Sequence, residues 1–325
     1  MYAQHFGLKE LPFSIAPDPH YLFMSEQHRE ALAHLLYGIS TDGGFVLLTG
    51  EVGTGKTTVC RCLLEQIPDH VNIAFIINPK VTAEELLATI CDELQILYPY
   101  GCASIKMFVD AINAFLLDAH AQGQKTVLLI DEAQNLKPEV LEQVRLLTNL
   151  ETNQQKLLQI IMIGQPELRD MLSSPEMSQL SQRITARYHI GPLSRHDVTA
   201  YVNHRLAAAG ATHTIFPHSV MRKLYRLSKG VPRLINIICD RALLGAYVHG
   251  EYQVSKKILA KAAAEVLGKS PAQRRRKAKW AIAGLLVIIG GTALAAAFYY
   301  EYGPGILAEI NHAIEENIVQ YFIIR

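Results

Sequence analysis

Several things that would narrow the reading are missing from this sequence. The five cysteines, Cys60, Cys62, Cys91, Cys102 and Cys239, show no C-x-x-C spacing and no histidines at metal-ligand intervals. That argues against a zinc site or a disulfide framework and for reduced, packed thiols in a cytosolic compartment. Net charge is only +1 over 325 residues, which excludes a strong global steering field for nucleic acid while leaving room for a local basic patch. The opening MYAQHFGLKELPF has neither a charged n-region nor an apolar h-region, and no signal peptide is expected. No internal repeat or low-complexity tract is present. Half of the residues are hydrophobic, so a core is affordable and disorder is not expected over most of the length. The length points to two domains, or to one large α/β unit with additions.

One long apolar run stands out. From Trp280 to Tyr300 no residue is charged, and about twenty such residues cross roughly 30 Å of hydrocarbon as a helix. Trp280 at one end and Tyr299 with Tyr300 at the other sit where amphipathic rings favour the headgroup level. Arg274, Arg275, Arg276, Lys277 and Lys279 precede the run, whereas Glu301, Glu309, Glu315 and Glu316 follow it. The positive-inside rule then keeps the large N-terminal part in the cytoplasm and sends the tail into the periplasm. The expectation is a single-span protein of the bacterial inner membrane.

Along the chain, residues 1–40 read as a Pro-rich extended arm followed by a helix bearing Ala31, Leu32, Leu35, Leu36 and Ile39. Short apolar runs at Phe45–Thr49, Asn72–Ile77, Thr126–Ile130, Leu157–Ile163 and Arg187–Ile190 read as strands. Helices are expected between most of them: Lys56–Ile67, one capped by Thr82 with Glu85, Ser104–Ala121, and Pro138–Leu150. This alternation implies a mostly parallel sheet covered on both faces, in a 41–192 α/β domain. Four further helices, near 194–208, 217–228, 232–248 and 255–267, have no strand between them and read as a small all-helical domain, 193–267. A basic linker (268–279), the span (280–300) and a short tail (301–325) complete the chain.

The chemistry begins at Gly50-Glu51-Val52-Gly53-Thr54-Gly55-Lys56-Thr57, a Walker A phosphate loop with a strand before it and a helix after it. Glycines let successive backbone N–H groups turn inward around phosphates, and the following helix adds its positive end. Lys56 is expected to neutralise β/γ-phosphate charge, and the Thr57 hydroxyl to ligate Mg²⁺. Thr58 completes the set expected to hold ATP. Val127-Leu128-Leu129-Ile130-Asp131-Glu132 reads as a Walker B element, a buried strand delivering two carboxylates at its C-terminal edge. Asp131 is expected in the Mg²⁺ shell, and Glu132 as the group that polarises the attacking water. The pair argues for hydrolysis rather than a passive nucleotide switch.

With both motifs in place the chain resembles the AAA+ superfamily of P-loop NTPases, which implies a parallel sheet core and a helical lid. The resemblance also assigns three positions. Gln165, after the fourth strand, takes the place of a "sensor 1" residue. Leu180-Ser181-Gln182-Arg183-Ile184 is similar to the stretch that carries an arginine finger, with Arg187 a near competitor and Arg169 a distant one. Gly230-Val231-Pro232-Arg233 matches "sensor 2", which would bring Arg233 to the γ-phosphate of its own subunit. A finger supplied by a neighbour implies an ATP-dependent homo-oligomer.

Phe6-Gly7-Leu8, Pro12-Phe13-Ser14, Pro17-Asp18-Pro19, His28-Arg29-Glu30-Ala31-Leu32 and Gly164-Gln165-Pro166-Glu167-Leu168 resemble the general secretion pathway A-type ATPases. These include relatives in mannose-sensitive haemagglutinin pilus biogenesis. That resemblance implies a membrane-anchored, Mg-dependent ATPase whose partners are envelope secretion or pilus assembly proteins. Leu11-Pro12-Phe13 and Pro17-Asp18-Pro19 in the arm are expected to pack near the nucleotide base. Longer members carry a peptidoglycan-binding domain outside the membrane; the residues after Tyr300 are too few for one, so a separate wall-binding partner is the alternative. The competing reading is a DNA-associated ATPase of the initiator or transposition-helper type. Against it stand the apolar span and the lack of a helix-turn-helix or basic appendix.

Overall fold

Five apolar runs become the strands of one sheet: β1 Gly44–Gly50, β2 Val71–Ile76, β3 Lys125–Ile130, β4 Leu158–Gly164 and β5 Ile184–Ile190. In this computed structural model the described residues are 1–268, except 17, 41–43, 78, 99–103 and 153–154, together with 290–294. The strand order is β2-β3-β4-β1-β5, with every neighbouring pair parallel. A parallel sheet needs crossovers on its faces, and the helices between the strands supply them.

Side-chain alternation decides what each face buries. Phe45, Leu47, Leu128, Ile130, Ile160 and Met162 face one core, shared with the helices α4 (Ala83–Glu93), α5 (Ile105–Ala121) and α6 (Pro138–Leu147). Val46, Leu48, Val127, Leu129, Ile161 and Ile163 face the other, against α2 (Glu26–Ser40) and α3 (Lys56–Gln66). Each fully buried Leu or Ile contributes about 1.5–3 kcal/mol, so a one-residue slip of β1, β3 or β4 would exchange both cores at once. Central β4 is buried along its whole length, whereas edge strand β5 alternates in exposure.

The capping signals hold. Thr82 and Glu85 form the full capping box of α4, and Ser104 caps α5. Helix α6 opens on Pro138 but stops at Leu147, three residues before the expected end, where Thr148 takes the C-cap. Strand β5 starts at Ile184 rather than Arg187, because it pairs with β1 along its whole length. Beyond β4 come two short helices that periodicity does not resolve, α7 (Pro166–Leu172) and α8 (Ser178–Gln182).

After β5, α9 (Arg195–Ala208), α10 (His218–Ser228), α11 (Pro232–Val248) and α12 (Lys256–Val266) follow without a strand. Ser194 and Asp197 cap α9 with a second capping box. Residues 1–263 form one compact unit, in which these helices and the sheet both lie.

The N-terminal arm is not simply extended. It opens on a short helix, α1 (Tyr2–His5), and buries Phe6, Leu8 and Phe13. The Tyr2 hydroxyl donates to Asp240 of α11, the Lys9 N–H donates to the Ala209 carbonyl at 2.9 Å, and Phe13 meets Phe216 edge-on. Prolines keep the arm from forming a long helix, and apolar docking fixes its path.

Of the second unit, residues 264–325, only 264–268 and the exposed helical stretch 290–294 are described. The expected span at 280–300 otherwise lies outside the described residues, as do the basic linker beyond Gly268 and the tail. Among the described residues no helix is long and apolar enough to cross a membrane. Cys60, Cys62, Cys91 and Cys239 are free and buried, as packed thiols should be; Cys102 lies outside the described residues.

Candidate functional site

The strand order brings the separate motifs together. β3, β4 and β1 are consecutive in the sheet, and all three run parallel, so their C-terminal ends present Asp131 and Glu132, Gln165, and the phosphate loop side by side. Ligands of open α/β sheets bind at this edge.

The loop leaves β1 at Gly50 and enters α3 at Lys56. Gly53 (φ +82°) and Gly55 (φ +108°) adopt left-handed backbone that a side chain would strain, and both positions are crowded. A Cβ on Gly53 would lie 2.6 Å from that of Arg233, and one on Gly55 would lie 2.5 Å from His28 Nε2. The Lys56 ammonium is buried and donates to the carbonyls of Gly50 (2.7 Å) and Glu51 (3.2 Å). Burial lowers its pKa, while Glu132, Asp131 and Glu51 oppose that shift.

Asp131 is 5 % exposed, and one of its oxygens accepts the Glu132 N–H at 2.8 Å. Burial raises its pKa, against that hydrogen bond and Lys56. Glu132 sits in left-handed backbone, φ 51°, unusual for a non-glycine and typical of functional turns. Its Oε2 accepts from Gln134 Nε2 at 2.5 Å and from Gln165 Nε2 at 3.1 Å. Burial alone would raise the Glu132 pKa; the two amide donors and Lys56 outweigh it and bring it below the ordinary value. Gln134 also accepts the Gln165 N–H at 3.0 Å, so one amide ties the Walker B turn to the end of β4. Sequence reading missed Gln134: its only signal is a position two residues after Glu132, too weak to single out.

These groups border a cavity of ≈ 380 Å³ whose wall includes Val52, Gly53, Gly55, Lys56, Thr57 and Thr58. Glu132 and Arg233 face it as well. Gly50, Glu51, Thr54, Asp131 and Gln165 are not among its lining residues, and Gln165 is tied to it through its bond to Glu132. Arg233 is brought there by the start of α11, whose Arg233 N–H donates to the Gly53 carbonyl at 3.3 Å. The opposite wall comes from the arm, with Ser14, Ile15 and Ala16, and from Tyr21, Leu22 and Phe23 before α2.

The residues expected as an arginine finger lie elsewhere. Arg183 Nη1 donates to Thr148 Oγ1 (2.5 Å), Asn149 Oδ1 (2.9 Å) and the Arg145 carbonyl (3.2 Å), all at the C-terminal end of α6. Arg187 donates to the backbone and hydroxyl of Ser181, and Arg169 faces Asp170 at 3.6 Å. None of the three lines the cavity of its own chain.

Residues 39–172 match the family model described as an AAA domain. This part of the chain is similar to AAA domains. Over 300 residues the chain is 54 % identical to General secretion pathway protein A of Aeromonas hydrophila, which covers 92 % of this chain and 54 % of that protein. The chain thus spans about half the length of this relative, and the resemblance to general secretion pathway A-type ATPases is borne out. Among solved structures, Cdc6p from Pyrobaculum aerophilum superposes with a TM-score of 0.60 at 19 % identity, over 78 % of this chain and 70 % of that one. The Aeropyrum pernix ORC2 protein gives 0.55 at 17 % identity, over 79 % and 72 %. At such identities the likeness is one of fold: an α/β P-loop AAA fold with a parallel sheet.

The matched stretch ends before β5 and the last four helices, yet Arg233 and the arm border the cavity from outside residues 39–172.

Proposed function

We propose that this chain is a Mg-dependent AAA ATPase, anchored in the bacterial inner membrane, that hydrolyses ATP to drive or regulate assembly of a secretion or type IV pilus-like envelope machine. The observation that carries the hydrolytic reading is the presence of Lys56, Glu132 and Arg233 on one cavity, with Gln165 bonded to the Glu132 carboxylate. A bound triphosphate would meet the loop's inward N–H groups and Lys56, while Ile15, Ala16 and Leu22 offer apolar surface for the base. Glu132, held ionised by Gln134 and Gln165, would accept the proton of the attacking water, and Arg233 would stabilise charge on the γ-phosphoryl. A hydroxyl on Thr57 and a buried carboxylate on Asp131 fit Mg²⁺, a hard cation that takes oxygen ligands and leaves the rest of its shell to phosphate and water. The ion would neutralise charge developing between the phosphates.

The helices from 193 to 267 act, in this reading, as the lid that carries Arg233. A neighbouring copy would supply Arg183, or Arg187, to complete the shared site, as self-assembly into a ring or open spiral. Release of Arg183 from the end of α6 would accompany that assembly. Membrane anchoring rests on the uncharged run 280–300 and the basic residues before it. The envelope role rests on the relative's name and 54 % identity, and a separate wall-binding protein would be its outer partner. Likeness to the Cdc6p and ORC2 structures supports the fold and gives no ground for nucleic acid as a partner.

The test is crosslinking of the full chain in a bacterial membrane, alongside its ATPase rate at rising protein concentration. Recovery of secretion or pilus components from the membrane fraction, with a rate per subunit that climbs as the protein assembles, is expected. A concentration-independent rate would remove the shared site; recovery from the soluble fraction with DNA would overturn the envelope role.

A further inference from the structure

His28 takes no part in the scheme above, yet it is 3 % exposed and packed directly against the phosphate loop. Its Nε2 lies 2.9 Å from the Thr54 carbonyl oxygen, and its Nδ1 lies 2.5 Å from Ser25 Oγ. A carbonyl can only accept, so Nε2 carries the proton; Nδ1 is then the acceptor and the Ser25 hydroxyl donates to it. Both ring nitrogens are thereby satisfied with the imidazole neutral. Burial, which lowers the pKa against the Thr54 hydrogen bond and the field of Asp197, favours the same state.

Thr54 is fully buried and does not line the cavity, although Gly53 and Gly55 on either side of it do. In a trans peptide the C=O and the following N–H point in opposite directions, and no described peptide is cis. Anchoring the Thr54 carbonyl toward α2 therefore turns the Gly55 N–H away from α2. The left-handed backbone of Gly55, with the same His28 ring 2.5 Å from where a Cβ would lie, holds that arrangement in place.

We propose that His28 is a positioning residue of the phosphate loop: its Nε2–H, oriented by Ser25, holds the Thr54 carbonyl outward and so presents the Gly55 N–H to a phosphate oxygen. The proposal rests on the nucleotide reading and adds to it a contact from outside the motif, on a helix that precedes β1. Its signature is selectivity. Losing the brace weakens binding of the phosphate chain and leaves the nucleoside part alone.

The experiment measures ATP, ADP and adenosine affinity of the full chain by competition with a fluorescent nucleotide, with thermal unfolding beside it. One neutral hydrogen bond corresponds to about tenfold in affinity, so His28→Leu should bind ATP and ADP about tenfold more weakly with adenosine unchanged. His28→Gln, whose amide reaches the same carbonyl, should stay within about threefold of wild type. Ser25→Ala, which frees the tautomer, should fall between them. Equal loss for adenosine and ATP, or unchanged ATP binding in His28→Leu, would overturn the proposal. Should His28→Leu fail to fold, a natively stable His28→Gln that binds ATP as poorly as a loop mutant overturns it equally. Absence of nucleotide binding by the wild-type chain would instead defeat the ATPase reading, and this proposal with it.

Discussion

Replacing Arg205 with Met should loosen the N-terminal arm and, through it, one wall of the cavity. Arg205 is 6 % exposed on α9, and its guanidinium donates to the Pro12 carbonyl (2.5 Å), the Ser14 carbonyl (3.0 Å) and the Tyr201 hydroxyl (3.0 Å). It also lies 4.7 Å from the centre of the Tyr21 ring. No carboxylate pairs with it among the described residues, so two carbonyls, the Tyr201 hydroxyl and the neighbouring rings compensate its burial. Three charge-assisted bonds at about 1.5–3 kcal/mol each set an upper bound that will not be reached. Methionine spares the desolvation cost of the guanidinium, and the freed carbonyls regain water if residues 12–16 lift off α9. The expected loss is therefore about 2–4 kcal/mol, a fall in Tm of roughly 5–15 °C for a unit of this size. Thermal unfolding and amide exchange over residues 9–16 provide the assay. ATP affinity should fall in parallel, because Ile15, Ala16 and Tyr21 line the cavity. Arg205→Lys should not rescue, since a point charge cannot span three acceptors held in the geometry of a fork. A Tm within about 2 °C of wild type, with unaltered exchange in the arm, would refute the view that Arg205 fastens it.

Glu132→Gln and Lys56→Ala should separate by role: the first retains ATP while hydrolysis falls about 10²–10⁴-fold, and the second loses binding, as equilibrium binding and single-turnover assays would report. Identical loss of binding in both would contradict the assignments. Gln134→Leu removes one donor from Glu132 and the acceptor of the Gln165 N–H, so kcat should drop about tenfold and the acid limb of the pH–rate profile should move to higher pH. A profile unshifted from wild type would show that Gln134 does not tune the carboxylate. Stability should also respond to pH through His28. Its folded pKa lies below the unfolded value of about 6.5, so between the two the unfolded chain binds more protons and stability rises with pH. Acidification from about pH 7.5 to 5.5 should lower Tm, and His28→Gln should flatten part of that slope. Burial and Arg205 lower the His204 pKa in the same way, so some slope should persist; an unaltered slope in His28→Gln would refute the assignment to His28.

What could be read in the sequence was what is encoded locally. The five- to seven-residue apolar runs at 45–49, 126–130 and 157–163 became β1, β3 and β4. The Thr82–Glu85 and Ser194–Asp197 pairs became capping boxes, because a cap needs only residues three apart. The phosphate loop was legible for the same reason: strand, glycines, Lys56 and helix are contiguous. The arm was not, since its path depends on Lys9 meeting Ala209 and on Pro12 meeting Arg205, contacts that no local pattern announces. Prolines read as extension there, and apolar docking decided otherwise.

The site itself lies between these two cases. Gly50, Asp131 and Gln165 are far apart in the chain, and each motif alone is compatible with a solvated turn. Only the order β3-β4-β1 puts them at one edge, and that order follows from crossover geometry rather than from any of the three segments. Gln134 and His28 belong to the level beneath: each is one polar side chain on an element chosen for other reasons, and each becomes visible only when a carboxylate or a carbonyl appears opposite it. Arg183 lies one level further out. Its bonds to the end of α6 are satisfied within one chain, so a role on a neighbour's phosphate requires that assembly compete with three hydrogen bonds already made. An arginine finger so tethered would make hydrolysis depend on assembly energy as well as on nucleotide.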